Sequence, residues 1–264
     1  MKDDELIPVV HAEPVLPDQG DRLAHLREHR GLIIRRALLA SAIRGFFPLP
    51  VADDLLCRRI GAGLYQRLAT LRQVDLPPKS AEILADASGL GAATSLSFTA
   101  VAALVAKFAG RKFLALLAAG RSAEDMARTY LRATLFDHYC AKLHVGGPIS
   151  AATAERLCAC LDVGAADLSA GPVLEAFRGG RRLLGRSLLE APGWVWQKFG
   201  KLGERFVRSG GNPDILDAFP EASPEEMTWL DRAAQSVDQA LARAGAGFIE
   251  DAVLRFEARW NRGI

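Results

Sequence analysis

Five side chains able to ligate a metal lie close together in this sequence: His138, Cys140, His144, Cys158 and Cys160. Zinc takes four nitrogen or sulfur ligands in a tetrahedron. Cys140 and His144 are four apart and can share one helix face. Cys158 and Cys160 are two apart on a predicted helix, so they point about 200° from each other. They cannot ligate one ion unless that helix unwinds, and structural zinc usually shows Cys-x2-Cys. No metal and no cofactor is expected, and the thiols read as core residues.

Catalytic motifs are equally lacking. No Gly-x-Ser-x-Gly elbow and no His-Glu-x-x-His motif occurs. Asp53/Asp54 and Glu225/Glu226 are adjacent acids at helix starts, where carboxylates suit the positive end of the helix dipole. His11, His25, His29, His138 and His144 have no evident partner in the sequence. A site dispersed along the chain would leave no such trace, but no cluster names a reaction. The reading leans away from an enzyme and assigns no catalytic residue.

The strongest chemical signal is a basic-aromatic stretch over 172–209, with eight basic and three acidic side chains. Arg178, Arg181, Arg182, Arg186, Lys198, Lys201, Arg205 and Arg208 interleave with Leu183, Leu184, Trp194, Trp196, Phe199, Leu202 and Phe206. Phe199, Leu202 and Phe206 share one helical face, and Lys198, Lys201, Arg205 and Arg208 run beside it. Pro192-Gly193 would hinge two such helices. An interfacial segment needs this composition: rings at the headgroup level and cations drawn to anionic lipid. The alternative is that Trp194, Trp196 and Phe199 plug the core while the arginines face water. Arginine also neutralises nucleic-acid phosphates. No zinc finger, RNA-recognition motif or recognition helix is present, so nucleic acid is not the expected partner.

A second apolar stretch runs from Leu96 to Ala119. Its length could span a bilayer, but Lys107, Arg111 and Lys112 lie inside it. Each mid-helix cation costs about 2.5–3.5 kcal/mol on the insertion scale. A buried helical hairpin turning near Gly110 is the expectation, with insertion only on a trigger as the alternative.

The elements that must position these groups read as helices. The chain has 264 residues, 50% of them hydrophobic and 7% aromatic. Ala, Leu and Arg, strong helix formers, dominate, and no period-2 strand pattern appears. The prediction is an all-α protein: a flexible tail over 1–20, then one helical domain over 21–264 with roughly eight to ten helices and helical hairpins. Within it, 31–144 would form the core helices and 223–262 the C-terminal helix. Pro48 and Pro50 would end a helix over 31–47. Asp53 and Asp54 would open the next, whose buried face is Leu56, Ile60, Leu64 and Leu68. Pro77 and Pro78 would stop it, and Ser80 would cap a short helix ending near Gly89. Ser122 to Asp125 reads as a capping box starting a helix to about His144. Ser150 would cap another to about Leu161. Ser223-Pro224-Glu225-Glu226 would start the last helix, with a bend at Gly245 and Gly247.

The net charge of +2 hides a layout. Residues 32–145 hold 15 basic and eight acidic side chains, while 210–264 hold five basic and ten acidic. Such blocks imply an anionic partner or internal charge pairing. Acids and prolines at the start argue against a secretory signal. Cys57, Cys140, Cys158 and Cys160 are then expected as free thiols in a reducing cytoplasm, with the inner face of the cytoplasmic membrane as a peripheral site.

Residues 31–72 carry one further pattern. An apolar helix leads through Phe46-Phe47-Pro48-Leu49-Pro50-Val51-Ala52-Asp53 into an amphipathic helix. This unit resembles the helical hairpin of the DUF697-type domains, a bacterial membrane-associated family of unknown biochemistry. The resemblance covers about 40 residues and implies an all-helical fold that meets membranes. Family members are often joined to GTPase domains; this chain has no Gly-x4-Gly-Lys-Ser/Thr loop. The sequence thus points to a non-enzymatic bacterial protein that binds anionic membrane peripherally. Contacts would come from Arg178, Arg181, Arg182, Arg186, Trp194, Trp196, Lys198, Phe199, Lys201 and Phe206. The alternative is a cytosolic helical scaffold whose apolar faces bind a protein partner or a second copy.

Overall fold

Helix formers need stops, and the stops in this chain decide where side chains from distant positions meet. The computed structural model describes residues 22–44, 50–86, 122–166, 171–189 and 228–263. Every regular element among them is helical, with no strand. The fold is all-α and forms a single domain.

The elements run as α1 (His25–Glu28), α2 (Arg30–Arg44), α3 (Pro50–Leu71), α4 (Pro78–Ala85), α5 (Ser122–His138), a π-helical turn (Tyr139–Leu143), α6 (Ala151–Gly164), α7 (Pro172–Leu189), α8 (Thr228–Ala244) and α9 (Gly247–Asn261). The helix α5 is the axis of the fold and packs against α1, α2, α3, α6, α7 and α9. Every residue from Tyr130 to Cys140 is buried. The second half of α5 puts Tyr130, Leu131, Ala133, Leu135 and Phe136 in the core and buries the polar side chains of Arg132, Thr134, Asp137 and His138 beside them, groups that burial obliges to find hydrogen-bond partners. Around it, α8 lies against α7 and α2, α4 against α3 and α6, and α9 against α6.

Two glycines let backbones approach closely. A Cβ on Gly180 of α7 would lie 2.3 Å from Val237 Cγ2 of α8. One on Gly164 of α6 would lie 2.5 Å from Leu135 Cδ1 and 3.2 Å from the Ala252 carbonyl oxygen.

Several boundaries differ from the sequence-based expectation. The prolines act as starts as well as stops. Pro50 is the first residue of α3, so Asp53 and Asp54 lie inside that helix and do not open it. The fixed φ of proline suits the first helical turn, where its missing amide costs nothing. The helix α3 stops at Leu71, well before Pro77, because Gln73 takes a left-handed φ of 58°. That turn closes with Val74 N–H donating to the Ala69 carbonyl at 2.8 Å, a helix ending usually carried by glycine. Pro78 then begins α4, and Ser80 is a buried residue within it, not its cap. The Ser80 hydroxyl donates to the Ile149 carbonyl at 2.7 Å and ties α4 to the loop before α6. The helix α4 ends at Ala85 and α6 at Gly164. The C-terminal helix is two helices, because Gly245 at φ 81° breaks the chain between α8 and α9.

Other expectations hold. Leu64 and Leu68 are buried on one face of α3; the side chains of Leu56 and Ile60 lie outside the described residues. The helix α5 begins at Ser122 and continues through the π-turn to Leu143. Ser150 caps α6, its hydroxyl accepting from Thr153 N–H at 3.1 Å. The helices α2 and α3 pack as a hairpin, and its turn at 45–49 lies outside the described residues. So do the tail over 1–20, the apolar stretch over 96–119 and the proposed helix start at Ser223. No described helix is long and apolar enough to cross a membrane.

Candidate functional site

The sequence leaves its histidines without partners, and the fold supplies them for His25, His29 and His138. The short helix α1 lays His25 against the end of α5. His25 Nε2 lies 3.1 Å from His138 Nδ1, with ring centroids 5.2 Å apart. His138 Nε2 lies 2.9 Å from Glu257 Oε1 of α9, and the other oxygen of Glu257 accepts from Arg22 at 2.8 Å.

A carboxylate only accepts, so His138 Nε2 carries the proton that faces Glu257. In the neutral ring, His138 Nδ1 is then an acceptor, and His25 Nε2 is the donor to it. This tautomer assignment follows from the hydrogen-bond network. Burial pushes the His25 pKa down to about 4, helped by the charges of His138, Lys142 and Arg72 and opposed by Asp137. His138 is also lowered by burial, and Glu257 works against that shift.

One residue earlier on α5, Asp137 is fully buried. Its oxygens accept from Arg72 Nε at 2.8 Å and Arg72 Nη2 at 2.9 Å, a two-pronged guanidinium–carboxylate pair. His29 Nδ1 donates to the same carboxylate at 2.9 Å. Arg72 follows the last turn of α3, where a cation also suits the negative helix end. It reaches on to Glu28 at 2.8 Å and to the His25 carbonyl at 2.7 Å. The Arg72 guanidinium therefore joins α1, α3 and α5. The Cys140 thiol, buried beside Asp137, is pushed up by burial and by that carboxylate.

This arrangement holds protons and orients them. His25, His138 and Glu257 form a continuous line of hydrogen-bonding groups, and Asp137 fixes His29 and Arg72. Among the described residues, no group of three or more His, Cys, Asp and Glu side chains is placed to hold a metal ion. The sequence signals for this cluster are the helical spacing of His25 and His29 and the polar pair Asp137-His138 within an apolar run.

The cysteine and histidine set does not converge. His144 follows the π-turn and packs its ring on Tyr139, while Cys140 faces Asp137 and Arg72. Cys158 Sγ accepts from Arg132 at 3.1 Å, and Cys160 is buried elsewhere on α6. Cys140, Cys158 and Cys160 are free thiols.

The basic-aromatic segment is described only in part. The helix α7 buries Val173, Leu174, Ala176, Phe177 and Gly180 and packs on α8 and α5. Arg178 and Arg182 are exposed, and Arg181 is half-buried. Arg178 pairs with Glu175 one turn back. Among the described residues, Arg181 and Arg182 have no carboxylate partner. Arg186 lies on α7. Trp194, Trp196, Lys198, Phe199, Lys201 and Phe206 lie outside the described residues.

Part of the charge layout is internal pairing. Arg35 of α2 meets Asp231 of α8 at 2.9 Å, and Arg30 pairs with Asp238. No family model, curated protein or solved structure matches this chain.

Proposed function

We propose that this chain is a non-enzymatic helical protein that docks on anionic membrane through the basic-aromatic segment over 172–209. The observation that carries the reading is the orientation of α7. Its apolar face is held by α8 and α5, so Arg178 and Arg182 lie on its exposed side with Arg181 at the margin. Arg30 and Arg35 of α2 meet carboxylates of α8, whereas Arg181 and Arg182 meet none among the described residues. Exposed cations are available to lipid phosphates, each near-surface one contributing about 1 kcal/mol. The chain leads from α7 into the stretch that carries Trp194, Trp196 and Phe199, whose ring types favour the lipid interface. The proposal includes a bacterial source and a helical hairpin over 31–72 of the DUF697 type.

Liposome flotation across a salt series tests it. Flotation only with anionic lipid, lost at high salt and lost in R181E/R182E/K198E, is expected. Unchanged flotation of that variant overturns the reading. No flotation of the native chain leaves the protein-binding scaffold, which a concentration-dependent oligomer or a captured partner would then support.

A further inference from the structure

We infer that the His25–His138 pair is a proton-operated latch that holds residues 22–28 on the helical bundle and releases them on acidification. The inference is independent of the membrane reading.

The latch rests on how the two rings can share protons. With both rings neutral, His25 Nε2–H donates to His138 Nδ1, and His138 Nε2–H donates to Glu257. One added proton is accommodated. His138 becomes a cation held by Glu257, and His25 moves its own proton to Nδ1 so that Nε2 accepts. A second proton is not accommodated. Both facing nitrogens would then be donors 3.1 Å apart, on two cationic rings.

The surroundings give no relief. Around His25 the charged groups are His138 and Asp137 of α5, Lys142 of the π-turn and Arg72 after α3. Around His138 they are His25, Glu257 of α9, Arg22 and Lys142. Of the carboxylates, Asp137 already accepts from Arg72 and His29, and Glu257 already accepts from His138 and Arg22. Lys142, Arg72 and Arg22 add positive charge.

The segment is also lightly held. Its apolar anchors are Leu23 and Leu26, and its polar ones are Arg22–Glu257, Glu28–Arg72 and the His25 carbonyl on Arg72. Segments with so few buried contacts open at lower free energy than the bundle as a whole.

The sign follows from linkage. A histidine held neutral when closed and free to titrate when open favours the closed state above its ordinary range. That preference is lost as pH falls from about 6.5 toward about 4. For His25 alone, the ratio of open to closed segment rises about 30-fold between pH 8 and pH 5. Opening uncovers Leu23 and Leu26 and the wall of α5 beneath them.

Amide hydrogen exchange of the full-length chain, corrected for the intrinsic pH dependence of exchange, reads this directly. Protection of a peptide confined to 22–28 is expected to fall about 30-fold from pH 8 to pH 5. Protection of a peptide within α6 should stay constant. The variant His25→Gln keeps an N–H donor toward His138 without a titrating ring, and its 22–28 protection should change less than about threefold over the same range. A pH-independent native segment, an equal loss of protection throughout the bundle, or a full response in the variant would each overturn the latch. If His25→Gln does not fold, the comparison of the two native peptides decides alone.

Discussion

Removing one hydrogen-bonding face of Asp137 is the sharpest test of the polar cluster. In Asp137→Asn, the amide occupies the carboxylate's place but turns an N–H2 group toward either Arg72 or His29. Asp137 is wholly buried, and only 14% of the Arg72 side chain is exposed. At an effective dielectric of about 20, two charges about 4 Å apart attract by about 4 kcal/mol. Breaking a buried pair by removing one partner costs about 3–5 kcal/mol, because the other charge stays buried. Arg72 keeps Glu28 and the His25 carbonyl, which sets the expected loss at the low end, about 3 kcal/mol. Urea unfolding followed by helical circular dichroism at about pH 7.5 measures it as a lower midpoint with an unchanged slope. The double variant Asp137→Asn/Arg72→Met should recover about 2 kcal/mol relative to the sum of the single variants. A loss below about 1 kcal/mol, or strict additivity, would refute the view that this carboxylate organises α1, α3 and α5.

Two further substitutions probe local packing and capping. Gly180→Ala should destabilise by about 1–3 kcal/mol, because its Cβ meets the stiff side chain of Val237 at 2.3 Å; Val237→Ala in the same chain should restore most of the loss in thermal unfolding. Ser150→Ala removes the acceptor for the Thr153 amide and should cost about 1 kcal/mol, read as a shifted urea midpoint.

The legible parts of the fold are those carried by residues a few positions apart. Ser150 caps α6 because its partner amide is three residues on. Leu64 and Leu68 show the buried face of α3 because a helix repeats every 3.6 residues. Boundaries are less legible where one residue type serves opposite ends. Proline suits the first turn of a helix as well as the residues past its end, so reading Pro50 and Pro78 only as stops misplaces the starts of α3 and α4. Gln73 in a left-handed turn leaves no signal at all, since glycine or asparagine is the usual choice there. That turn matters for the site, because it ends α3 just where Arg72 can reach Asp137.

Local spacing puts His25 and His29 four apart, and Asp137 next to His138. Which of these face one another is not in the spacing. His25 and His138 are 113 positions apart, and His29 and Asp137 are 108 apart. Their meeting depends on α1 docking beside the end of α5 and on α9 returning Glu257 to the same place. The sequence by itself determined that the chain is helical, because propensity and the 3.6-residue period act within a few turns. The tertiary structure alone decided that His25, His29 and His138 come together with Asp137 and Glu257 in one cluster. The energy of that cluster comes from charges brought together out of water by packing around α5.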